Sequence, residues 1–593
     1  MGGNPHSFKT QVLLFLIVVS AWTLWLPKIA HHPSPAAGNP HKVHIAFGFH
    51  VNLYHSFRGD TNDENGFGQD IRVIRHTIDT LDRFNRQGIP VRAVWDFDNL
   101  FSLQERLPAD APDIIGDVRR RVDRSGDDVI LMSYNNGLIS AMTDREFSVS
   151  MQRAVTNANG SGVKDLFGRV APVVRPQEMM TTPGSFKRYA ALGIEAVALY
   201  YSATPFDAFR LFSRELTPTE AHNPITYRNP ATDEKITILP TYHPGDLVEN
   251  VSLRDWAETL HGLQEQGRID RDVLIFINFD ADAEFWTGAD LPWHLDWLPN
   301  TGGLGQLIDS VSDLDFVAFS NVSDYLADHE PVGKVRFGQD TADGSFNGYN
   351  SWAEKVCASD YWTRIERNRR VHRIARALLA MPDGPGLSPI LDNLLDDAFE
   401  TRLRALSTTN FGLATPFLAR SREAAMASIL DRLDGYSDKI EAQLAALAEP
   451  MITRHEAANP SGGHRRAVQT FLHLASGTAG DRYLSFVLPA RMQGVGGYVV
   501  ADAKGRRIPA MLEKETVLSG GDRVSVTLRI SGRQHMPDGI YTLYRQTDAL
   551  ASVPAGDHRL SATPRLLENA FIRVRFDDRG RIVDVAKNGA VQL

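Results

Sequence analysis

Between residues 43 and 325 short apolar runs recur, each followed by a longer mixed stretch. The runs are V-H-I-A-F-G-F (43–49), V-R-A-V-W (91–95), D-V-I-L-M-S-Y (128–134), V-A-P-V-V (170–174), I-E-A-V-A-L-Y (194–200), I-T-I-L-P (236–240), V-L-I-F-I-N-F (273–279) and F-V-A-F-S (316–320). Several are nearly unbroken and rich in Val and Ile, as strands buried on both faces read. Stretches such as I-R-V-I-R-H-T-I-D-T-L-D-R-F and L-R-D-W-A-E-T-L-H-G-L between them carry helical spacing. Repeated strand–helix units imply parallel strands joined by crossover helices. The number of runs predicts a seven- or eight-stranded (β/α) barrel over residues 43–340.

The pattern then changes twice, so the expected class is a multidomain α/β protein. Val371, Ile374 and Leu378 follow helical spacing, as do Leu391, Leu395, Phe399, Leu403 and Leu406. Met426, Leu430 and Leu433, then Ile440, Leu444 and Leu447, form a further stripe, and a helical bundle over 350–450 is the natural packing. From 465 to 593 short alternating runs separated by Gly and Asp turns predict an antiparallel β-sandwich region. Its last segment, L-L-E-N-A-F-I-R-V-R-F-D-D-R-G-R-I-V-D-V, reads as a hairpin turning at D-D-R-G, with Ile572, Val574 and Phe576 on one face. Two strands are marginal alone. They must therefore pair with earlier strands, or a larger β domain is incomplete here.

A chain of 593 residues with 43% hydrophobic and 23% charged residues builds a large core. A net charge of −9 and the lack of any long basic run argue against nucleic acid as a partner. The single cysteine, Cys357, excludes an intrachain disulfide and a cysteine-based zinc cluster, and reads as a small apolar helix residue. The segment Q-V-L-L-F-L-I-V-V-S-A-W-T-L-W-L-P between Lys9 and Lys28 is uncharged and about long enough to cross a bilayer. Trp22 and Trp25 suit a membrane interface. Residues 1–28 are expected to be an uncleaved single-pass inner-membrane anchor, with 29–42 as a tether and the catalytic part on the periplasmic side. A cleaved signal, with a secreted or periplasmic product, is the alternative.

Polar residues follow many of the apolar runs: His50 and Asn52, Asp96 and Asp98, Tyr134 and Asn135, Glu178, His243, and Asp280 with Asp282. In a barrel of parallel strands all these points converge on the C-terminal mouth, where such folds build their sites. Two acids stand out there. Glu178 follows the run ending at Val174, and Asp282 follows the run ending at Phe279 in the stretch N-F-D-A-D-A-E-F-W. Two carboxylates flanking a bond are what most glycoside hydrolysis requires, one as nucleophile or base and one as proton donor. Tyr54, Trp95, Tyr134, Tyr200, Tyr242, Phe285 and Trp286 are aromatics placed near strand ends, suited either to sugar rings or to wall packing. Asp280, Asp282 and Glu284 share a side if the strand continues past Phe279, and diverge if the chain turns there.

The stretch R-P-Q-E-M-M-T-T-P-G-S-F-K-R-Y-A-A-L-G-I-E-A-V-A-L resembles the nucleophile motif of glycoside hydrolase family 57. D-A-E-F-W (282–286) resembles that family's acid motif, and G-F-H-V-N-L-Y-H-S-F resembles a drifted form of its first, His-rich motif. The order barrel, helical bundle, β-sandwich is similar to the layout of glycoside hydrolase family 38, the α-mannosidases. L-E-N-A-F-I-R-V-R-F-D-D-R-G-R-I is similar to the segment opening that family's large C-terminal sandwich. The resemblance implies Glu178 as nucleophile and Asp282 as acid/base. Placement at strand ends makes His50, Asn52, His55, Trp95, Asp96, Tyr134, His243 and Trp286 the candidate substrate contacts. Family 38 implies zinc on a His-x-Asp pair, an Asp nucleophile and a later His. Here those positions carry His50 with Asn52, Glu178 and, near the helical region, Asn410. Family 57 works without metal, which suits this sequence better, so no cofactor is expected, with zinc kept as the alternative.

The resulting expectation is a retaining α-glycosidase cleaving an oligo- or polysaccharide of α-glucan or α-mannoside type by two-carboxylate double displacement. Burial beside Phe285 and Trp286 is expected to keep Asp282 protonated at the start. Two alternatives remain. A metal-dependent polysaccharide deacetylase would use a similar barrel, but His50 and His55 do not have its His-x-x-x-His spacing. A catalytically inactive, membrane-anchored glycan-binding protein is the other. The sugar, its linkage and the oligomeric state are not encoded in these motifs.

Overall fold

The structure, a computed structural model, describes residues 40–53, 66–202, 214–229, 233–289, 298–336, 356–381, 388–407, 420–458, 466–474, 481–490, 498–531, 536–545, 561–568, 572–587 and 590–591. The expected anchor, most of the tether, Tyr54, His55 and Asn410 lie outside these residues. Among the described residues no helix is long and apolar enough to cross a membrane.

The chain divides into two compact units. The first comprises Met1–Ser359 and Leu403–Met426, the second Asp360–Arg402 and Ala427–Leu593. The first is built on ten strands: β1 Val43–Val51, β2 Ala93–Phe97, β3 Asp128–Val129, β4 Val173–Val174, β5 Ala196–Ser202, β6 Ile225–Arg228, β7 Lys235–Tyr242, β8 Val273–Asp280, β9 Val317–Phe319 and β10 Val332–Val335. Seven of them run parallel round a ring. β1 pairs β2 and β8, β2 pairs β3, β4 pairs β5, and β5 pairs β7. A bridge between Leu131 and Val174 joins β3 to β4, and the single pair Tyr242–Ile277 joins β7 to β8. The seven-stranded form of the expected barrel is thus the one adopted. The eighth apolar run forms β9, which pairs only Val43–Ile45 of β1, where β2 has not yet begun. β6 runs antiparallel to β7, and β10 extends it outside the ring.

Side chains alternate between the two faces of each strand. One parity faces a small cluster of Ala46, Val94, Ile130, Val173, Ala196, Ala198, Leu239, Leu274 and Phe276, which fills the ring's interior. Val322 and Tyr325 of the helix Val322–Asp328 belong to this cluster and close the end where the strands begin. The other parity, including Phe47, Phe49, Trp95, Val197 and Ile275, packs in a larger cluster with surrounding helices such as Gly68–Arg86 and Leu253–Glu265. Small interior residues (Ala46, Ala196, Ala198) suit the narrow bore that seven strands enclose.

In the second unit the helix Val356–Leu379 meets Pro389–Ala405 and Arg420–Ala458 through Val371, Ala375, Leu378, Leu391, Leu395, Ile440 and Leu444. The stripe from Met426 to Leu447 lies on one 39-residue helix. Arg364 binds Asp431 and Asp434 at 2.6 Å each across this bundle. The β region follows as two antiparallel sheets sharing one core of Phe486, Leu488, Val500, Val526, Leu528 and Leu543. The hairpin Ile572–Phe576/Ile582–Lys587 sits in a separate five-stranded sheet and pairs Leu566–Glu568. Its turn is D-D-R-G, with Asp577 Oδ1 accepting from the Arg579 and Arg581 amides. On this strand Ile572 is exposed while Val574 and Phe576 are half-buried.

Candidate active site

The interior parity that is apolar in mid-barrel becomes polar at the strands' C-terminal ends. On β1 it runs Ala46, Gly48, His50, Asn52; on β2 it runs Val94, Asp96, Asp98; on and after β4 it runs Val173, Arg175, Gln177; on β8 it runs Phe276, Asn278, Asp280. Parallel pairing in register aligns His50 with Asp96 on one side and Asp280 on the other. A ring of short polar reach is therefore assembled at one level of the barrel.

These groups bind one another. His50 Nδ1 lies 2.6 Å from Asp96 Oδ1, with the two side chains 2% and 0% exposed. The carboxylate can only accept, so Nδ1 carries a proton, and in the neutral ring Nε2 is the acceptor. Nε2 is buried and has no hydrogen-bond partner. Asn278 Nδ2 donates to Asp96 Oδ2 at 3.3 Å, and Arg175 Nε donates to Asn278 Oδ1 at 2.8 Å. Tyr200 donates its hydroxyl to the Asn278 carbonyl at 3.0 Å. One chain of polar contacts thus links β1, β2, β8, the end of β4 and β5. It depends on Gly48, because a Cβ there would lie 2.3 Å from Asn278 Nδ2.

His243 caps the helix Pro244–Glu249 that follows β7. Its Nδ1 accepts from the Gly245 amide at 3.0 Å, so in the neutral ring the proton sits on Nε2. Burial lowers its pKa to about 4, with the Arg175 charge acting in the same sense and Asp280 opposing. His243 is accordingly a neutral donor at the rim, packed edge-on to Phe279. Asp98 is fully buried after β2. Burial pushes its carboxyl up to about 7 against hydrogen bonds from Phe101 and Ser102. The Ser102 hydroxyl in turn accepts from the Leu53 amide at 2.8 Å.

The three acids of N-F-D-A-D-A-E-F-W diverge, because the chain turns. β8 ends at Asp280, the Ala281 amide donates to the His50 carbonyl at 2.8 Å, and a short 3-10 turn occupies Glu284–Trp286. Asp280 stays half-buried at the rim beside His243, and Asp282 is 1% exposed. Glu284 lies outside the site and accepts from Gln69. Glu178 sits in a 3-10 turn, Gln177–Met179, directly after β4, at the same end of the barrel as Asp282. Its side chain is outside the described atoms. The next residue, Met179, has φ +50. A left-handed backbone at a bulky non-glycine residue is the kind of strain that collects at functional turns.

Several expected contacts are corrected by parity and burial. Trp95 carries the outward parity: it is fully buried, packs on Phe49, and donates to Asp127 at 2.8 Å. Trp286 is likewise enclosed by Phe47, Phe49 and Phe285 and donates to the Asp280 carbonyl at 2.7 Å. Neither has a face left for a sugar ring. Asp96 is engaged by His50 Nδ1 through Oδ1 and by Asn278 Nδ2 through Oδ2. Tyr134 is buried with its hydroxyl donating to Gln104 at 3.0 Å, and Tyr242 donates to the Ala221 carbonyl at 2.5 Å among the surrounding helices. Asn52 is buried, 3.5 Å from Asn136 Nδ2. Asn135 ties the rim loop to the segment Leu403–Ser407, donating to the Leu403 carbonyl at 2.7 Å. Arg175 and Asn278 were not singled out in the sequence, although both occupy the interior parity of their strands.

The mouth does not fit the zinc that a family 38 layout implies. His50 Nε2 would suit a ligand with its Nδ1 locked by a carboxylate. Its neighbour in the implied pair is an amide, Asn52, a poor zinc ligand. Among the described residues no third side chain joins them.

No protein-family model matches the sequence, and no curated protein matches it. Solved structures give distant likenesses. An α-mannosidase from Enterococcus faecalis V583 is 13% identical with a TM-score of 0.48, covering 92% of this chain and 61% of that one. A glycosyl hydrolase family 38 protein from Enterococcus faecalis is 15% identical with a TM-score of 0.46, covering 93% and 59%. A GH57-type branching enzyme from Pyrococcus horikoshii is 12% identical with a TM-score of 0.45, covering 70% and 96%. Both families named from the motifs are therefore represented. The chain spans about three-fifths of the length of the two Enterococcus structures.

Proposed function

We propose that this protein is a retaining glycoside hydrolase acting on α-glucan- or α-mannoside-type oligo- or polysaccharides. Glu178 attacks the anomeric carbon while Asp282 gives its proton to the departing glycosidic oxygen. Asp282 then takes a proton from water as that water displaces Glu178. What supports the reading is the placement of the two acids after β4 and β8, at the mouth spanned by the Arg175–Asn278–Asp96–His50 chain. Asp282's burial suits a proton donor. His50 Nε2, fixed as an acceptor, and the His243 Nε2 proton give the sugar hydroxyls one acceptor and one donor. The N-terminal apolar segment is proposed to anchor the enzyme in the inner membrane, with the barrel on the periplasmic side.

A panel of aryl α-glycosides, with the first-formed anomer followed by NMR, tests the mechanism. Retention of the α configuration is expected. Inversion would remove the nucleophile role from Glu178 and leave it a base role at most.

A further inference from the structure

At the opposite end of the barrel from the mouth, His44 near the start of β1 meets Asp272 just before β8 and His329 just after the helix that plugs the bore. His44 and His50 are six residues apart on one strand, about 20 Å of extended chain. The two sites are therefore physically separate.

We propose that His44 Nε2, Asp272 Oδ2 and His329 Nε2 hold a zinc-type divalent cation that fastens the floor of the barrel. Both imidazole nitrogens lie 3.3 Å from the same carboxylate oxygen, and the three atoms lie within 4.8 Å of one another. Tetrahedral zinc with bonds of about 2.0–2.1 Å separates neighbouring ligand atoms by about 3.3 Å. The two histidine–carboxylate separations thus match those of neighbouring ligands on such an ion.

The surroundings orient each group as a ligand. His329 Nδ1 donates to the Tyr325 carbonyl at 2.9 Å, and the Tyr325 ring stacks on His329 at 4.0 Å. In the neutral ring His329 Nε2 is therefore a lone pair, and it faces a carboxylate oxygen that can only accept. Two acceptors at that distance need a proton or a cation between them. His44 Nδ1 is engaged by the Ser320 hydroxyl at 2.9 Å, which leaves its Nε2 toward Asp272. Asp272 Oδ1 is taken by the Lys42 amide at 2.9 Å, which leaves Oδ2 to the histidines. Ligand histidines whose second nitrogen is fixed by a carbonyl or hydroxyl are the usual outer shell of a metal site. The ammonium of Lys42, whose amide binds Asp272, is engaged by the Asp315 carbonyl at 2.7 Å. His41 Nδ1, 3.4 Å from Asp272 Oδ1, stands beside the set, and water or His41 completes the tetrahedron. Two imidazoles and a carboxylate select zinc-type ions over magnesium or calcium. All three side chains are partly exposed, so an ion has a way in.

The experiment uses the full chain, stripped with chelator and dialysed against zinc, with bound metal counted by mass spectrometry and thermal unfolding followed in parallel. About one zinc per chain and a raised Tm are expected. Cobalt(II) in place of zinc should give the intense visible absorption of a tetrahedral site. Asp272→Asn, which keeps an acceptor for the Lys42 amide, should abolish both binding and the Tm response, whereas His50→Ala should leave them intact. Absence of metal in the wild-type chain would overturn the proposal and leave a protonated histidine–aspartate ion pair. So would zinc retained by Asp272→Asn or lost in His50→Ala.

Discussion

His50 Nδ1 and Asp96 Oδ1 meet at 2.6 Å on adjacent strands, both buried, and this pair fixes which nitrogen His50 offers the mouth. Asp96→Asn removes the charge but keeps the size. A hydrogen bond to a charged group contributes about 1.5–3 kcal/mol. Denaturant titration of Asp96→Asn should show a loss in that range, and KM on a cleaved aryl glycoside should rise as His50 loses its fixed tautomer. An unchanged midpoint would mean that the pair contributes nothing net.

Gly48→Ala tests the crossing of Asn278 through the bore. The added methyl meets the Asn278 side chain, and overpacking of this kind costs about 1–3 kcal/mol. Stability should fall by that amount, and turnover should fall with it, because Asn278 carries Arg175. A fully active and stable variant would show that the mouth does not need this contact.

Arg175→Lys keeps the charge and loses the planar fork that reaches Asn278 through Nε. Misplacing a group by about 1 Å costs on the order of a hundredfold in rate. Turnover should drop by roughly that factor with a normal circular dichroism spectrum. Wild-type rates would contradict a positioning role for Arg175.

Asp98 and His222 should tilt stability with pH in opposite directions. Asp98 is raised from 3.8 to about 7 by burial, so the folded state binds the proton more tightly. Its stabilising share is present below about pH 4 and is lost as pH rises through about 7. His222 is lowered from 6.5 to about 4 by burial. It accepts from Trp256 Nε1 and donates to the Pro218 carbonyl, so its share is present above about pH 6.5 and is lost as pH falls toward 4. Unfolding free energies of Asp98→Asn at pH 5 and 8, relative to wild type, should therefore improve on going to pH 8. No change across that range would mean that Asp98 is ionised in the fold.

The barrel was legible because its strands, buried on both faces, are written as unbroken Val and Ile runs. Convergence of polar strand ends singled out His50, Asp280 and Asp282, which lie on or just after β1 and β8. The same reasoning placed Trp95 and Trp286 there because it used nearness to a strand end and ignored parity. Trp95 neighbours the inward Val94 and Asp96, so it must point outward. Parity was also the signal for Arg175 and Asn278, which lie two residues past the interior Val173 and Phe276. The His44–Asp272–His329 cluster had no sequence signal, since its members lie 228 and 57 residues apart and meet only when the barrel closes. Seven strands rather than eight followed from β9, whose run looks like the others but pairs only at the floor.

Turnover of wild type, Glu178→Gln and Asp282→Asn on a responsive aryl α-glycoside, with folding checked by circular dichroism, tests the central claim most directly. The account predicts folded variants with rates lower by roughly a hundredfold or more, the scale of a lost acid–base or nucleophilic group. A folded Glu178→Gln enzyme with the wild-type rate would contradict it.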